Sequence, residues 1–176
     1  MTGARKRTPA ADPTRQRPPR LDLLVEAGDW PARSRLRSLA NRAIRAAAQS
    51  VAGVPAEAEV CVVFTDDGHI RALNLRFRGQ DKPTNVLSFP AAPQAGRFGQ
   101  VLGDIVLALE TIHREAQDQG LIFDGHLTHL IVHGFLHLLG FDHESDAEAG
   151  VMERLETAIL VGMGIADPYA GGDNDA

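Results

Sequence analysis

The stretch from 126 to 139 limits the possible folds most severely, because it has almost no polar face. Leu127, Leu130, Ile131, Val132, Phe135, Leu136, Leu138 and Leu139 surround it with apolar side chains. A helix that is apolar nearly all round belongs in a domain interior, so the rest of the chain must supply layers that enclose it. Yet five of the seven histidines fall between 126 and 143. At 100° per residue, His126, His129, His133 and His137 share a stripe about 80° wide. The predicted element is a buried helix over 125–139 with one imidazole-bearing face.

His133 and His137 stand one turn apart, which stacks their rings close enough to share a metal ion. Gly140 then ends the helix, since glycine adopts the left-handed conformation that turns the chain back, and the turn brings His143 round. The spacing His-x3-His-x2-Gly-x2-His is the ligand pattern of metzincin metalloproteases. Three neutral imidazoles suit zinc, and a fourth position left for water marks such a site as catalytic rather than structural. The candidate ligands are therefore His133, His137 and His143, with one Zn2+ per chain. One position departs from the protease pattern: Gly134 stands where those enzymes carry a glutamate as general base. Asp142 and Glu144 flank the third histidine and are candidates to orient a ring or take a proton.

The remaining periodicities supply the enclosing layers. Apolar or β-branched runs predict strands over 21–25, 59–64, 86–89 and 105–109, the last two as neighbours joined by a Pro/Gly-rich connection over 90–99. Leu36, Leu39, Ala43, Ile44 and Ala47 recur at helical spacing and predict a helix over 31–51, ended by Gly53 and Pro55. Asp66 is a candidate cap for a helix through Ile70, Leu73 and Asn74, followed by a polar loop over 76–85. Helices are predicted over 110–119 and 146–161. Strands early and helices late predict an α+β fold with helices covering one sheet, and the metal-binding helix that ends in a glycine turn is zincin-like.

At 176 residues and 44% hydrophobic content, a single domain over 21–165 is expected. Around it, 1–20 read as a disordered basic Arg/Pro-rich tail and 166–176 as a disordered C-terminal tail. Residues 1–20 hold six basic side chains against Asp12, so +5 of the formal charge sits there and the remainder carries −10, for a total of −5. Pro9, Pro13, Pro18 and Pro19 would break the amphipathic helix of an organelle transit peptide. Cys61 is the only cysteine, which excludes an intrachain disulfide. No run approaches the ~18 to 20 apolar residues of a membrane helix, and the expectation is a soluble, cytoplasmic protein.

Three stretches resemble the YbeY-type endoribonucleases, metal-dependent ribosomal RNA maturation factors. They are Asp81-Lys-Pro-Thr-Asn-Val-Leu-Ser-Phe-Pro90, Leu102-Gly-Asp-Ile105 and His129-Leu-Ile-Val-His-Gly-Phe-Leu-His-Leu-Leu-Gly-Phe-Asp-His143. With the helix that carries Met152 and Leu160, the resemblance extends over roughly 21–165. It implies a small mixed sheet with helices, zinc on His133, His137 and His143, and Arg78 as an arginine important for cleavage. The implied substrate is single-stranded RNA, notably precursor 16S rRNA in the setting of the small ribosomal subunit. The start of the chain before Leu21 lies outside the pattern.

Charge supports an anionic substrate independently. Between His69 and Gln100 the basic residues are Arg71, Arg76, Arg78, Lys82 and Arg97 and the only acid is Asp81, a local +4. Arg78 can hold a phosphate through two parallel N–H donors, and His129 is a candidate to contact substrate or support the site. Two other readings use the same residues. A peptidase with an unusual base is opposed by Gly134, and a non-catalytic ribosome-associated module would use the metal only to stabilise its fold.

Overall fold

Apolar and β-branched runs in extended segments build a four-stranded sheet in the computed structural model, which describes residues 17–92, 98–143 and 145–170. The strands are β1 (Arg20–Val25), β2 (Glu59–Thr65), β3 (Val86–Pro90) and β4 (Val101–Ala108), in the spatial order β1-β2-β4-β3. β1, β2 and β4 run parallel, and β3 pairs antiparallel with β4, Ser88 opposite Ile105. The sheet is mixed, and the two strands expected to be neighbours are. β4 begins earlier than the predicted 105 because Gly103, at φ +132°, continues the strand where a Cβ would stand 2.2 Å from the Phe89 carbonyl oxygen.

Helices α1 (Arg33–Ser50), α2 (Asp67–Arg78), α3 (Leu109–Asp118), α4 (Phe123–Leu138) and α5 (Asp146–Gly162) complete the fold. Period-two alternation divides each strand between two faces. Val60, Val62 and Phe64 of β2 and Ile105 and Leu107 of β4 join the larger core with α1, α4 and α5. Leu87, Val106 and Ala108 point the other way, onto Ile70 of α2. α4 sits inside the larger core as its composition requires, with Leu127, Ile131, Val132, Phe135 and Leu136 all inaccessible. Burial of such a side chain contributes ~1.5 to 3 kcal/mol, so this helix is a principal source of the domain's stability. Among the described residues no helix is long and apolar enough to cross a membrane.

Three further boundaries depart from the sequence reading. The loop expected over 76–85 starts later, because α2 is capped by Asp66, whose carboxylate accepts from the His69 N–H, and continues to Arg78 before stopping at Gly79. At the start of the chain, Arg17 already pairs with Glu57 at 3.0 Å although 1–20 was expected to be disordered; 1–16 lie outside the described residues. At the other end, 166–170 are placed rather than disordered: Asp167 accepts hydrogen bonds from the Thr157 hydroxyl and the Tyr169 N–H, folding the segment back on α5. The remainder of that expected tail, 171–176, is outside the described residues.

Candidate metal centre

α4 ends in the hydrogen-bond pattern of a Schellman turn. The Phe141 N–H reaches the Leu136 carbonyl at 3.1 Å and the Gly140 N–H reaches the His137 carbonyl at 3.0 Å, with Gly140 at φ +81°. Phe141 packs back on the core, as the residue two beyond such a helix end commonly does. This reversal carries His143 over the last turn of α4. The rings of His133 and His137 lie 4.6 Å apart between centroids, those of His137 and His143 5.0 Å, and those of His133 and His143 5.6 Å. One ligand nitrogen from each falls within 4.8 Å of the others.

Nitrogen chemistry within the cluster fits a divalent cation. His133 Nε2 and His137 Nε2 approach to 3.1 Å, and two imidazole nitrogens at that distance need a proton or a metal ion between them. Tetrahedral zinc with bonds of 2.0 to 2.1 Å sets its ligand nitrogens roughly 3.3 Å apart. Burial, then the nearby His133 and His143 rings, hold His137 below the usual histidine range. The neutral ring that a metal requires is therefore favoured. Asp142, one of the two acids noted beside the third histidine, accepts the His143 backbone N–H at 2.8 Å; Glu144 is outside the described residues.

Gly134 occupies its position for a packing reason. A Cβ there would stand 2.8 Å from Ile105 Cγ2, 3.1 Å from Ser88 Oγ and 3.4 Å from Val86 Cγ2. The Gly134 carbonyl also accepts the Ser88 hydroxyl at 3.1 Å. α4 rests here directly on β3 and β4, and a larger side chain, glutamate included, would have to displace the Ile105 and Ser88 side chains.

The cluster opens into a cleft of about 880 Å³ whose lining includes His133, His137, His143, Asp142, Arg78 and Lys82. Arg78 reaches it from the last turn of α2, and one of its N–H groups makes a long 3.4 Å bond to the Ser88 carbonyl. Lys82 is held from below, since Asn74, buried in α2, donates to its carbonyl at 2.8 Å. The +4 run resolves into individual roles. Arg71 is bound to Asp81 through bonds of 2.7 and 3.0 Å, Arg76 lies over the Phe77 ring, and Arg97 is outside the described residues. Of the four that are described, Arg78 and Lys82 line the cleft.

The profile described as Endoribonuclease YbeY matches residues 26–164. The chain belongs to this family. The endoribonuclease YbeY of Chelativorans sp. (strain BNC1) is 55% identical over 152 residues, covering 85% of this chain and 93% of the relative. That of Rhizobium meliloti (strain 1021) is also 55% identical, over 157 residues, with 85% and 94% covered. A Thermotoga maritima protein whose solution structure is known shares the fold, with a TM-score of 0.53 at 23% identity, covering 89% of this chain and 99% of that one. Membership of the YbeY family agrees with the resemblance carried by the histidine stretch.

Sequence reasoning missed two residues beside the YbeY-type histidine cluster. Glu156 of α5 is wholly buried, and its Oε1 accepts the His133 Nδ1–H at 2.7 Å. Its Oε2 accepts from His129 Nε2 at 3.2 Å and from the Tyr169 hydroxyl. His129 thus supports the cluster and is absent from the cleft lining. A signal for Glu156 was present: with Met152, Ile159 and Leu160 it lies on the buried side of α5, where an acid without partners is costly. Tyr169 had no such signal, because its segment lacks periodicity.

Proposed function

We propose that this protein is a metal-dependent endoribonuclease that cuts single-stranded RNA, using zinc held by His133, His137 and His143 and the guanidinium of Arg78 to bind the phosphate. In this reading it acts in the cytoplasm on precursor 16S rRNA, at its 3′ end, and on the small ribosomal subunit during ribosome biogenesis and quality control. The observation that carries the reading is the convergence of three histidine nitrogens within 4.8 Å in a cleft that Arg78 and Lys82 also line. A bound divalent cation supplies Lewis acidity at that point.

The protein's own groups account for binding and orientation. A guanidinium carries five N–H donors, so the single long bond from Arg78 to the Ser88 carbonyl leaves most of them for a phosphodiester. Its planar fork matches two phosphate oxygens, and Lys82 adds a second positive charge along the same cleft. The packing at Gly134 argues against a peptidase, because the position of the protease glutamate is filled by Ile105, Ser88 and Val86.

The test is cleavage of single-stranded RNA by metal-stripped protein with each candidate divalent metal added back, alongside metal content of the His133→Ala, His137→Ala and His143→Ala variants. Full metal content in all three variants refutes the ligand set. Arg78→Lys keeps charge but loses the fork, and single-turnover cleavage at saturating enzyme is expected to fall roughly 30- to 1,000-fold while RNA affinity changes little. Wild-type cleavage by that variant would reduce Arg78 to a docking contact.

A further inference from the structure

Among the described residues two groups of side chains have the geometry to hold a cation: His133, His137 and His143, and, on the other side of the same ring, His129, His133 and Glu156. They share His133, and its two nitrogens face opposite ways. Nε2 approaches His137 while Nδ1 approaches Glu156. The second group differs from the first in that its carboxylate is already satisfied. Glu156 is acceptor-only when ionised and takes hydrogen bonds from three donors, His133 Nδ1–H, His129 Nε2–H and the Tyr169 hydroxyl.

From this arrangement we infer that Glu156 is a positioning residue for the metal centre, locking His133 in the Nδ1–H form so that its Nε2 lone pair points into the cleft, and that the C-terminal segment belongs to the centre through Tyr169. The inference rests on the ligand set proposed above. A metal-ligating histidine is typically oriented by a hydrogen bond from its other nitrogen, and loss of such a partner lowers metal affinity 10- to 100-fold. Here the partner is buried to 0% exposure on α5, so its position is set by packing. Its two oxygens face three hydrogen-bond donors, His129, His133 and the Tyr169 hydroxyl, so the carboxylate has no room to turn away from His133.

Tyr169 brings in a distant part of the chain. Asp167 accepts from Thr157 and from the Tyr169 N–H at 2.9 Å each, and this turn lays the tyrosine ring edge-on to His129, 5.9 Å between centroids. The last described residues thereby cover the face of the cluster away from the cleft.

The experiment is zinc affinity by competition with a chromophoric chelator, zinc stoichiometry, and imidazole 15N spectra of the metal-free protein, for wild type, Glu156→Gln and Tyr169→Phe. Glu156→Gln is expected to bind one zinc per chain roughly 10- to 100-fold more weakly and to lose the fixed His133 tautomer. Tyr169→Phe, a milder change on a partly exposed residue, is expected to weaken zinc severalfold and decides the matter should Glu156→Gln not fold. Unchanged zinc affinity in a folded variant overturns the positioning role while leaving the ligand set intact. Two zinc ions per wild-type chain, one of them lost in Glu156→Gln, would make the second group a metal site and overturn it as well. Absence of zinc binding in the wild type would instead remove the ligand set itself.

Discussion

Replacing Gly134 by alanine sets two effects of opposite sign against each other. In a helix interior the change should stabilise by about 1 kcal/mol from propensity. Against it stands a methyl placed 2.8 Å from Ile105 Cγ2, with Ser88 Oγ at 3.1 Å. Ile105 has no accessible surface and is branched at Cβ, so its methyl cannot swing away without an unfavourable rotamer. Overpacking of this kind costs ~1 to 3 kcal/mol, and here the upper part of that range applies because the neighbours are sheet side chains in the larger core. The expected net loss is about 1 to 2 kcal/mol, which for a domain of this size lowers Tm by about 2 to 8 °C. Urea and thermal unfolding of metal-free protein measure it without interference from bound zinc. Ile105→Leu removes the offending methyl, so the loss should shrink in the double variant relative to the sum of the singles. A Gly134→Ala protein more stable than wild type would show that the helix does not rest on the sheet at this point, and the packing explanation for the missing glutamate would fall.

Gly140→Val is expected to weaken zinc binding without removing a ligand, because a Cβ there meets no neighbour within 4 Å and the penalty is purely the left-handed conformation, ~1 to 2 kcal/mol; unchanged affinity in a chelator competition would refute the role of the turn. Gly103→Ala should fail to reach wild-type stability in urea by several times that margin, since its Cβ would sit 2.2 Å from a backbone oxygen of the paired strand, and a near-neutral result would contradict the β3–β4 pairing. Cys61 is pushed up to about 11 by burial and then by Asp104, Asp22 and Glu26. Its alkylation by iodoacetamide should accordingly be slow at pH 8, rise with pH towards that value, and speed up in Asp104→Asn; equal rates in the two proteins would rule out the electrostatic contribution.

The metal-binding helix, its glycine turn and the third histidine were legible in the chain because all three are local. Helical spacing places His133 and His137 on one face, and a Schellman turn depends only on residues within one turn of Gly140, so the consecutive sequence contains the whole instruction. The strands were legible for a related reason, since each is a local apolar or β-branched run, whereas the mixed pairing was implied only by the family resemblance. Gly134 was visible only as an absence. Its cause lies in Ile105, Ser88 and Val86, distant in sequence and brought beneath the helix by the β3–β4 pairing. The basic run between His69 and Gln100 shows the limit most clearly: charge alone does not rank its five cations, the resemblance singled out Arg78, and only folding assigned Arg71 to Asp81, Arg76 to Phe77, and Arg78 and Lys82 to the cleft. Glu156 and Tyr169 belong to the same class. What brings them to His133 is the packing of α5 on α4 and the backward fold of the C-terminal segment, neither of which leaves a periodic trace, because a hydrogen bond across elements depends on where two surfaces meet rather than on the order of residues along either.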